Sequence, residues 1–284
     1  MTFARTPSRR IAGASGALLR NRRLLAALAL VCALILTAAE FGCSKAHDNE
    51  LLVGMELSYP PFEMTDERGR PAGVSVDLAH ALGDRLGKQV KIENIPFDGL
   101  IPALKTGKID LIISSMTATE ERRGSIDFSE PYLKTGLCLL VKADSPIQSI
   151  RDADQPGMTV VVKKGTTGHL YAADHIKNAR ALVLDKEASC VLEVVQGKAD
   201  AFIYDQMSVY KHWKRNPDTT RALLTPFQVE YWAVGVRKGS PDLMRRVNEF
   251  LEEYRRNKGF DELAERYLKE QKEAFRKLGS PFFF

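Results

Sequence analysis

The chain has 284 residues, of which 44% are hydrophobic and 27% charged, a composition that is ordinary for a globular protein and long enough for two small domains. Its net charge of +5 comes entirely from residues 1–42, which hold six arginines and one acid, because the rest of the chain carries 35 basic and 35 acidic side chains. A folded part without net charge lacks the surplus of Lys and Arg that phosphate binding needs, which excludes a nucleic-acid-binding function.

The first 42 residues are predicted to be an export leader. An arginine-rich segment precedes Leu24 to Ala39, an uncharged apolar run of 16 residues that is short for a spanning helix and typical of a signal peptide. Gly42-Cys43-Ser44 resembles a lipoprotein processing site, with Cys43 as the lipidated N-terminus, and we favour this alternative. Glu40 departs from the lipoprotein pattern, and Thr37-Ala38-Ala39 offers an ordinary cleavage site, so soluble processing stays open. Either route predicts a mature protein in the periplasm or at the cell-envelope surface.

Strands and helices alternate along the rest of the chain, which predicts an α/β fold with mostly parallel sheets. Strands are predicted at 51–55, 90–95, 109–113, 136–141, 158–162, 181–184, 200–204 and 231–237. Helices are predicted at 76–86, 99–105, 169–179, 189–196, 207–215, 241–257 and 260–277, with a further helix beginning after Thr119 as N-cap. Asp66 to Arg70 predicts a hairpin loop, and Gly87 predicts a helix C-cap.

A short unit occurs twice in the chain. Residues 105–110, KTGKID, are echoed by residues 195–200, VQGKAD, and each unit combines a helix end, a Gly-Lys-x-Asp turn and the start of a buried strand. Ser115 and Asp205 both lie five residues after the turn aspartate, so they occupy equivalent strand ends in two similar halves. The turn aspartates, Asp110 and Asp200, precede their strands and are predicted to lie far from those ends.

The two strand ends offer complementary chemistry. In an open α/β sheet, ligands sit outside the carboxyl ends of the strands. The first strand is followed by three hydroxyls, of Ser114, Ser115 and Thr117, and by the guanidinium of Arg122. Arginine gives a carboxylate a planar bidentate partner, and the hydroxyls can donate to its remaining lone pairs. The second strand ends at Asp205, which suits an ammonium, so the pair predicts a site for an α-amino acid between two lobes.

Eight short motifs in a fixed order resemble the periplasmic amino-acid-binding proteins of bacterial ABC importers, in solute-binding protein family 3, over roughly residues 50–270. They are SYPPFE (58–63), GVSVDLA (73–79), FDGLIPAL (97–104), SSMTATEER (114–122), DFSEPY (127–132), KKGTTG (163–168), GKADAFIYD (197–205) and VRKGSPDL (236–243). The resemblance implies a two-lobed, type II periplasmic-binding-protein fold, in which each lobe is an open, mostly parallel sheet flanked by helices and two hinge strands join the lobes. We place lobe 1 at residues 43–134 and 230–284 and lobe 2 at residues 135–229.

The resemblance also implies the roles of the site residues. Arg122, Thr117 and Ser115 are expected to bind the ligand carboxylate from lobe 1. Thr167 and its neighbouring main chain are expected to bind it from lobe 2. Asp205 is expected to pair with the α-ammonium, although an acid at a strand end could instead cap the next helix. The predicted ligand-binding residues are Glu56, Tyr59, Phe97, Ser115, Met116, Thr117, Arg122, Thr166, Thr167 and Asp205.

Three of these residues are expected to contact the ligand side chain. Tyr59 and Phe97 resemble the positions that hold it between aromatic faces. Glu56 is expected to face its distal end, which favours a basic amino acid because an unpaired buried carboxylate is costly. Acids also occur at this position in family members that bind neutral polar amino acids, so polar and basic ligands both stay open.

The predicted function is capture of a polar or basic L-amino acid outside the cytoplasm and its delivery to an ABC permease, by a monomer that is not an enzyme and needs no cofactor. No HExxH, Cys/His cluster or GxSxG pattern indicates a metal site or a catalytic nucleophile, and Cys138 and Cys190 are predicted to be free thiols. Two alternatives stay open. One is a cyclohexadienyl (arogenate) dehydratase-like enzyme, which needs a proton donor in the cleft. The other is a ligand-sensing module for a separate receptor.

Overall fold

Two five-stranded sheets carry the fold in the computed structural model, which describes residues 1–2, 49–277 and 279. The predicted leader, the lipidation site at Cys43 and the apolar tail Phe282–Phe284 lie outside these described residues. From Glu50 onward the described chain belongs to one compact unit. A search of the described helices finds none with the length and apolar character that crossing a membrane requires.

The order of elements follows the predicted alternation. The strands are β1 (Glu50–Met55), β2 (Ser58–Tyr59), β3 (Glu63–Thr65), β4 (Pro71–Ala72), β5 (Gln89–Asn94), β6 (Leu111–Ile112), β7 (Asp127–Phe128), β8 (Leu133–Lys142), β9 (Thr159–Lys163), β10 (Arg180–Leu184), β11 (Ala201–Asp205), β12 (Thr220–Trp232) and β13 (Gly235–Val236). The α-helices are α1 (Val74–Leu86), α2 (Leu100–Lys105), α3 (Glu120–Arg123), α4 (Ile150–Ala153), α5 (Thr167–His175), α6 (Glu187–Val195), α7 (Gln206–Arg215), α8 (Pro241–Arg256), α9 (Gly259–Tyr267) and α10 (Lys269–Lys277).

Each sheet combines parallel strands with antiparallel ones. The first has the order β5-β1-β6-β13-β7, with β1 parallel to β5 and β6 and with β13 antiparallel to β6 and β7. The second has the order β10-β9-β11-β8-β12, with β9 parallel to β10 and β11 and with β8 antiparallel to β11 and β12. We call the part built on the first sheet lobe 1 and the part built on the second lobe 2. The residue limits of the lobes given above stay a prediction.

The central strands β1, β6, β9 and β11 are apolar because both of their faces are covered. In β6, Leu111 faces one hydrophobic core and Ile112 the other, as the alternation of side chains along a strand requires. Helix α1 buries residues spaced by three or four, which gives it one apolar face toward the core. It ends at Gly87, which adopts a left-handed conformation with φ of 67° and was predicted as the C-cap.

The repeated unit makes the same contacts in both lobes. Asp110 exchanges two hydrogen bonds with Leu52 on β1, accepting at 2.9 Å and donating from its main chain at 2.8 Å. Asp200 does the same with Thr159 on β9, at 2.8 Å in both directions. Each aspartate thereby fixes the start of its strand against the neighbouring strand, which agrees with its prediction as a turn residue.

Two predicted elements differ in the structure. The strand predicted over 231–237 is two strands, and the first of them, β12, begins at Thr220 and pairs along β8 with a shift of register between Leu223 and Gln228. Pro226 lies in the irregular stretch, where the chain can do without a ladder donor. The helix predicted over 260–277 is also divided, because Leu268 leaves the helical conformation and is completely buried.

The two cysteines of the described chain are free and buried, as predicted. Burial raises the pKa of both thiols, that of Cys190 to about 12. They therefore act as small apolar side chains of the core rather than as reactive groups.

Candidate ligand-binding site

A cavity lies between the lobes, lined by residues that follow β6 in lobe 1 and by residues at the end of β11 in lobe 2. Nine of the ten predicted ligand-binding residues line it. The exception is Met116, whose side chain is 1% exposed and packs in the core of lobe 1, so that only its main chain lies near the site. Whether the nine residues bind a ligand stays a prediction.

Arg122 lies buried at the boundary of the lobes. It follows the N-cap Thr119, as predicted, and stands on the short helix α3. Its Nη1 donates to Thr117 O at 2.7 Å, and its Nη2 donates to Gly165 O, in the loop before α5, at 2.9 Å. The second bond links the lobes, and the two bonds together use two of the five N–H donors of the guanidinium. Burial lowers the pKa of Arg122 to about 10, so the group is charged at neutral pH and can also bind a carboxylate.

Asp205 faces the cavity from lobe 2. Its Oδ1 accepts hydrogen bonds from Met207 N and Ser208 N, at 3.0 and 3.1 Å, and so caps helix α7. The same oxygen accepts from Tyr59 Oη, in lobe 1, at 2.6 Å. Among the described residues, these three donors all bind Oδ1. Oδ2 is therefore left for a ligand. Capping and ligand binding are therefore compatible.

The charge of Asp205 is poorly compensated in the ligand-free protein. Burial raises the pKa of Asp205 to about 6, and the negative charge of Glu187 adds to the effect of burial, although the hydrogen bonds from Tyr59 and Ser208 and the positive charge of Lys211 oppose the rise. An ammonium placed against Oδ2 would supply the missing positive charge. The carboxylate is thus suited to a cationic partner.

The hydroxyls of Thr117 and Thr167 meet at one carboxylate, that of Glu230 on β12. Thr117 Oγ1 donates to Glu230 Oε2 at 3.1 Å, and Thr167 Oγ1 donates to the same oxygen at 3.0 Å. Glu230 is 3% exposed and lines the cavity. The neighbouring Thr166 uses its hydroxyl locally, because it donates to Lys163 O and accepts from His169 N as the N-cap of α5.

Glu56 has a partner that the sequence did not predict. Lys163, at the end of β9 in lobe 2, forms an ion pair with Glu56 of lobe 1, and its side chain is only 3% exposed. The centre of the Phe97 ring lies 5.4 Å from Arg122 Cζ and 5.5 Å from Lys163 Nζ, so this one ring is near both cations. Lys163 thus places a positive charge beside Glu56, and the contact of Glu56 with the ligand side chain stays a prediction.

A second acid of the cavity, Glu63, was also missed. Its Oε2 accepts from Ser75 Oγ at 2.6 Å and from Ser115 Oγ at 3.1 Å. Burial raises the pKa of Glu63 to about 8, so the side chain holds a proton at neutral pH. Ser115 has a positive φ of 48°, which is uncommon for a residue other than glycine and is found where a site over-determines the backbone.

Aromatic rings form one wall of the cavity. Tyr59 packs against Phe62 and Trp232, with ring centroids 5.5 and 6.0 Å away, and its hydroxyl is held by Asp205. Tyr204, at the end of β11, adds a further ring 6.2 Å from Tyr59. Tyr59 is thus fixed in position before a ligand arrives, as an aromatic contact of the side chain requires.

The sequence offered a signal for two of the three missed residues, Glu63 and Lys163, but not for Glu230. Glu63 and Lys163 stand inside motifs that carried the resemblance, and a charged residue beside Phe62 or at the end of an apolar strand could have indicated a buried acid or base. Glu230 lies on β12, whose sequence does not alternate clearly, so nothing local indicated that its carboxylate points inward.

In the part of the chain that the structure describes, no group of three or more His, Cys, Asp or Glu side chains could hold a metal ion.

Comparison with known proteins agrees with this fold and site. The family model of the bacterial extracellular solute-binding proteins, family 3, matches residues 51–270. The L-arginine-binding protein of Pseudomonas aeruginosa is 31% identical over 250 residues, which cover 85% of this chain and 96% of that protein. Both findings bear out the resemblance seen in the eight motifs.

Solved structures give the same answer. A binding component of an ABC transporter from Wolinella succinogenes, complexed with lysine, matches with a TM-score of 0.73 at 38% identity, over 78% of this chain and 96% of that one. The ancestral amino acid-binding protein AncCDT-1, a precursor of cyclohexadienyl dehydratase, matches with a TM-score of 0.71 at 35% identity, over 77% and 95%. The predicted two-lobed α/β fold is confirmed, and this chain belongs to the bacterial extracellular solute-binding proteins of family 3.

Proposed function

We propose that this protein binds an L-amino acid between its lobes and delivers it to the permease of an ABC importer. One observation carries the proposal: Arg122 of lobe 1 and Asp205 of lobe 2 are buried on the same cavity, and each keeps hydrogen-bonding capacity for a ligand. An α-amino acid has the two charges that match them. The names of the relatives, which bind arginine or lysine, support the same class of ligand.

The Glu56–Lys163 pair bears on which amino acid is bound. A guanidinium or ammonium group would have to compete with Lys163 for Glu56 and would meet a positive charge. A carboxamide could donate to Glu56 and accept from Lys163 without separating any charge. We therefore propose glutamine or a similar carboxamide as the first ligand class and basic amino acids as the second.

Thermal unfolding against a panel of ligands tests both parts. The purified protein is refolded from denaturant to remove co-purified ligand and is then melted with each standard L-amino acid, ornithine and citrulline. A ligand at about 100 times its dissociation constant adds roughly 2.7 kcal/mol, which is a readily measured shift. A shift with no amino acid would overturn the proposal, and a shift confined to basic amino acids would reverse the order of the two ligand classes.

A charge change at the distal end sharpens the panel. Lys163→Met leaves Glu56 unpaired, so we expect the ratio of glutamine to arginine affinity to fall by about tenfold, the equivalent of roughly 1.4 kcal/mol. Lys164→Met is the matched control, because Lys164 is the next residue but pairs with Asp98 on the surface. An unchanged ratio in Lys163→Met would show that the side chain of the ligand does not reach this pair.

A dehydratase function is the second candidate, and Glu63 is the observation that favours it. A carboxyl group with a pKa of about 8 in the cavity is a proton donor of the kind that such an enzyme needs. We nevertheless propose a binding protein, because Glu63 is held by Ser75 and Ser115 and Asp205 retains its place opposite an ammonium. Turnover of prephenate or arogenate, lost in Glu63→Gln, would establish the enzyme instead.

We also propose export with removal of the leader and anchoring through Cys43. The family is extracytoplasmic, which supports export, and the Gly42-Cys43-Ser44 sequence supports the anchor. Mass spectrometry of the mature protein tests both. A lipid-modified N-terminal Cys43, absent in Cys43→Ser, is expected, whereas an unmodified N-terminus near Glu40 would establish soluble processing.

A further inference from the structure

We infer that Glu230 sets the direction of two hydrogen bonds in the site, so that the hydroxyls of Thr117 and Thr167 present lone pairs rather than protons to the ligand. Glu230 is then a positioning residue that acts through both threonines. The inference rests on the proposed binding of an amino acid, and it names the part of the ligand that these hydroxyls recognise. It revises the expectation from the sequence that Thr117 donates to the ligand carboxylate.

The geometry assigns both protons to Glu230. A hydroxyl group has one proton to donate and two lone pairs with which to accept. The hydroxyls of Thr117 and Thr167 both reach Glu230 Oε2, at 3.1 and 3.0 Å, and that oxygen has no proton to give when the side chain is a carboxylate. Neither threonine has a second proton for a ligand.

The surroundings keep this carboxylate in place. Gln228 Nε2, two residues earlier on β12, donates to Glu230 Oε1 at 3.1 Å. Three side chains therefore donate to Glu230, and Arg122 adds an attractive charge, while burial opposes ionisation and raises its pKa. A carboxylate that is 3% exposed and accepts three hydrogen bonds has a defined orientation, which it imposes on both hydroxyls.

The two ends of the ligand are then divided between different groups. Oδ2 of Asp205 and the lone pairs of Thr117 Oγ1 and Thr167 Oγ1 are three acceptors on one cavity. An α-ammonium has three N–H donors, so it fits these acceptors in number and charge. The ligand carboxylate is left to Arg122 and to main-chain N–H groups at the start of α5. Selection for the ammonium thus depends on Glu230 as well as on Asp205.

Loss of the acceptors can be measured with ligands that lack the ammonium. Calorimetric affinities are compared for L-glutamine against glutaramic acid and for L-arginine against 5-guanidinopentanoic acid, two pairs that differ only in the amino group. Glu230→Gln keeps the shape of the side chain but can donate to one threonine, which frees a hydroxyl proton. We expect the preference for the amino acid over its desamino analogue to fall about tenfold.

Two further variants separate this role from a structural one. Thr167→Val should lower the affinity for the amino acid about tenfold and leave that for the desamino analogue within twofold. Val229→Ala is the control, because Val229 precedes Glu230 on β12 but is 54% exposed, and it should leave the preference unchanged. An equal loss for both members of a pair in Glu230→Gln would overturn the inference.

A measurement without ligand keeps the inference testable if the proposed function fails. In urea unfolding of the ligand-free protein, Thr167→Val, Glu230→Gln and their double variant form a double-mutant cycle. We expect strong coupling, with the double variant little less stable than the poorer single variant. Additive losses would overturn the hydrogen bond and the inference with it. If the unmodified protein binds no amino acid, the proposed function is overturned. The cycle would still show whether Glu230 and Thr167 are coupled by a hydrogen bond.

Discussion

Strands β6 and β11 begin in the same way and end differently. Before each strand, a Gly-Lys-x-Asp turn places an aspartate against the main chain of a neighbouring strand, through Asp110 in lobe 1 and Asp200 in lobe 2. After them, β6 leads to serine and threonine hydroxyls and to Arg122, while β11 ends in Asp205. The end that builds the frame is repeated, and the end that faces the cavity is not.

This difference shows how two similar lobes can hold a ligand with two different charges. A symmetric pair of sites would suit a symmetric ligand, whereas a positive group on one lobe and a negative group on the other suit a zwitterion. On the proposed function, closure of the lobes would bring opposite charges of protein and ligand together. The following predictions test whether the divergent ends carry binding and the repeated turns carry stability.

The largest effect is expected at the cationic end. Arg122→Ala should lower amino-acid affinity about 1,000-fold, because two charge-assisted hydrogen bonds at roughly 2 kcal/mol each are lost. Isothermal titration calorimetry measures the affinity, and circular dichroism checks that the fold persists. Arg123→Ala is the matched control, since Arg123 is exposed on the same helix and contacts only Glu120 among acids. Unchanged affinity in Arg122→Ala would show that Arg122 does not bind the ligand carboxylate.

The anionic end should follow closely. Asp205→Asn keeps an oxygen that can cap α7 through Met207 and Ser208 but removes the charge opposite the ammonium, so we expect affinity to fall about 100-fold, or roughly 3 kcal/mol. The control is Asp200→Asn at the repeated turn, which should bind normally. Equal losses of affinity in the two variants would contradict a specific role of Asp205 in binding the ammonium.

The repeated turns should affect stability alone. Asp110→Ala and Asp200→Ala each leave a main-chain N–H unpaired, on Leu52 and Thr159, so each should lower the free energy of unfolding by about 2 kcal/mol. Urea denaturation measures the loss, and titration with the amino acid should give the affinity of the unmodified protein. A change confined to affinity would contradict the division between the two strand ends.

The smallest effect is a pH dependence of binding. Because the pKa of Asp205 is about 6 in the free protein and an ammonium needs its ionised form, affinity should be nearly constant above about pH 7 and about tenfold lower at pH 5. Stability of the free protein has the opposite sign. The folded pKa lies above the ordinary value of 3.8, so the protonated form favours folding and this stability is lost as pH rises toward 6. Asp205→Asn should remove the pH dependence of affinity between pH 5 and 7.

Local patterns predicted the frame and the two charged ends of the site. Arg122 and Asp205 follow apolar strands within a few residues, so their positions are fixed by chain geometry that is visible in sequence. Glu56 was predicted at the cavity, but its pairing with Lys163 was not, since that contact joins residues 107 positions apart in different lobes. Its consequence for ligand choice was therefore missed.

The elements that were missed have physical reasons of their own. Strand β12 is half-exposed along much of its length and carries an irregular stretch at Pro226, so neither alternation nor a continuous apolar run indicates it. The break between α9 and α10 falls at Leu268, without Gly or Pro, because burial of that side chain outweighs helix propensity. Since Glu230 stands on β12, missing the strand meant missing the residue.

The wall of the cavity also has an optical consequence. The chain holds two tryptophans, and Trp232 is 2% exposed, lines the cavity and lies 5.0 Å from the ring of Phe62. Trp213 stands on α7 beside Tyr210, with their rings 6.1 Å apart, and does not line the cavity. Emission from Trp232 should therefore respond when an amino acid fills the cleft, and Trp213→Phe leaves it as the single indole emitter. Trp232 is thus an intrinsic fluorophore in the wall of the proposed ligand-binding cavity.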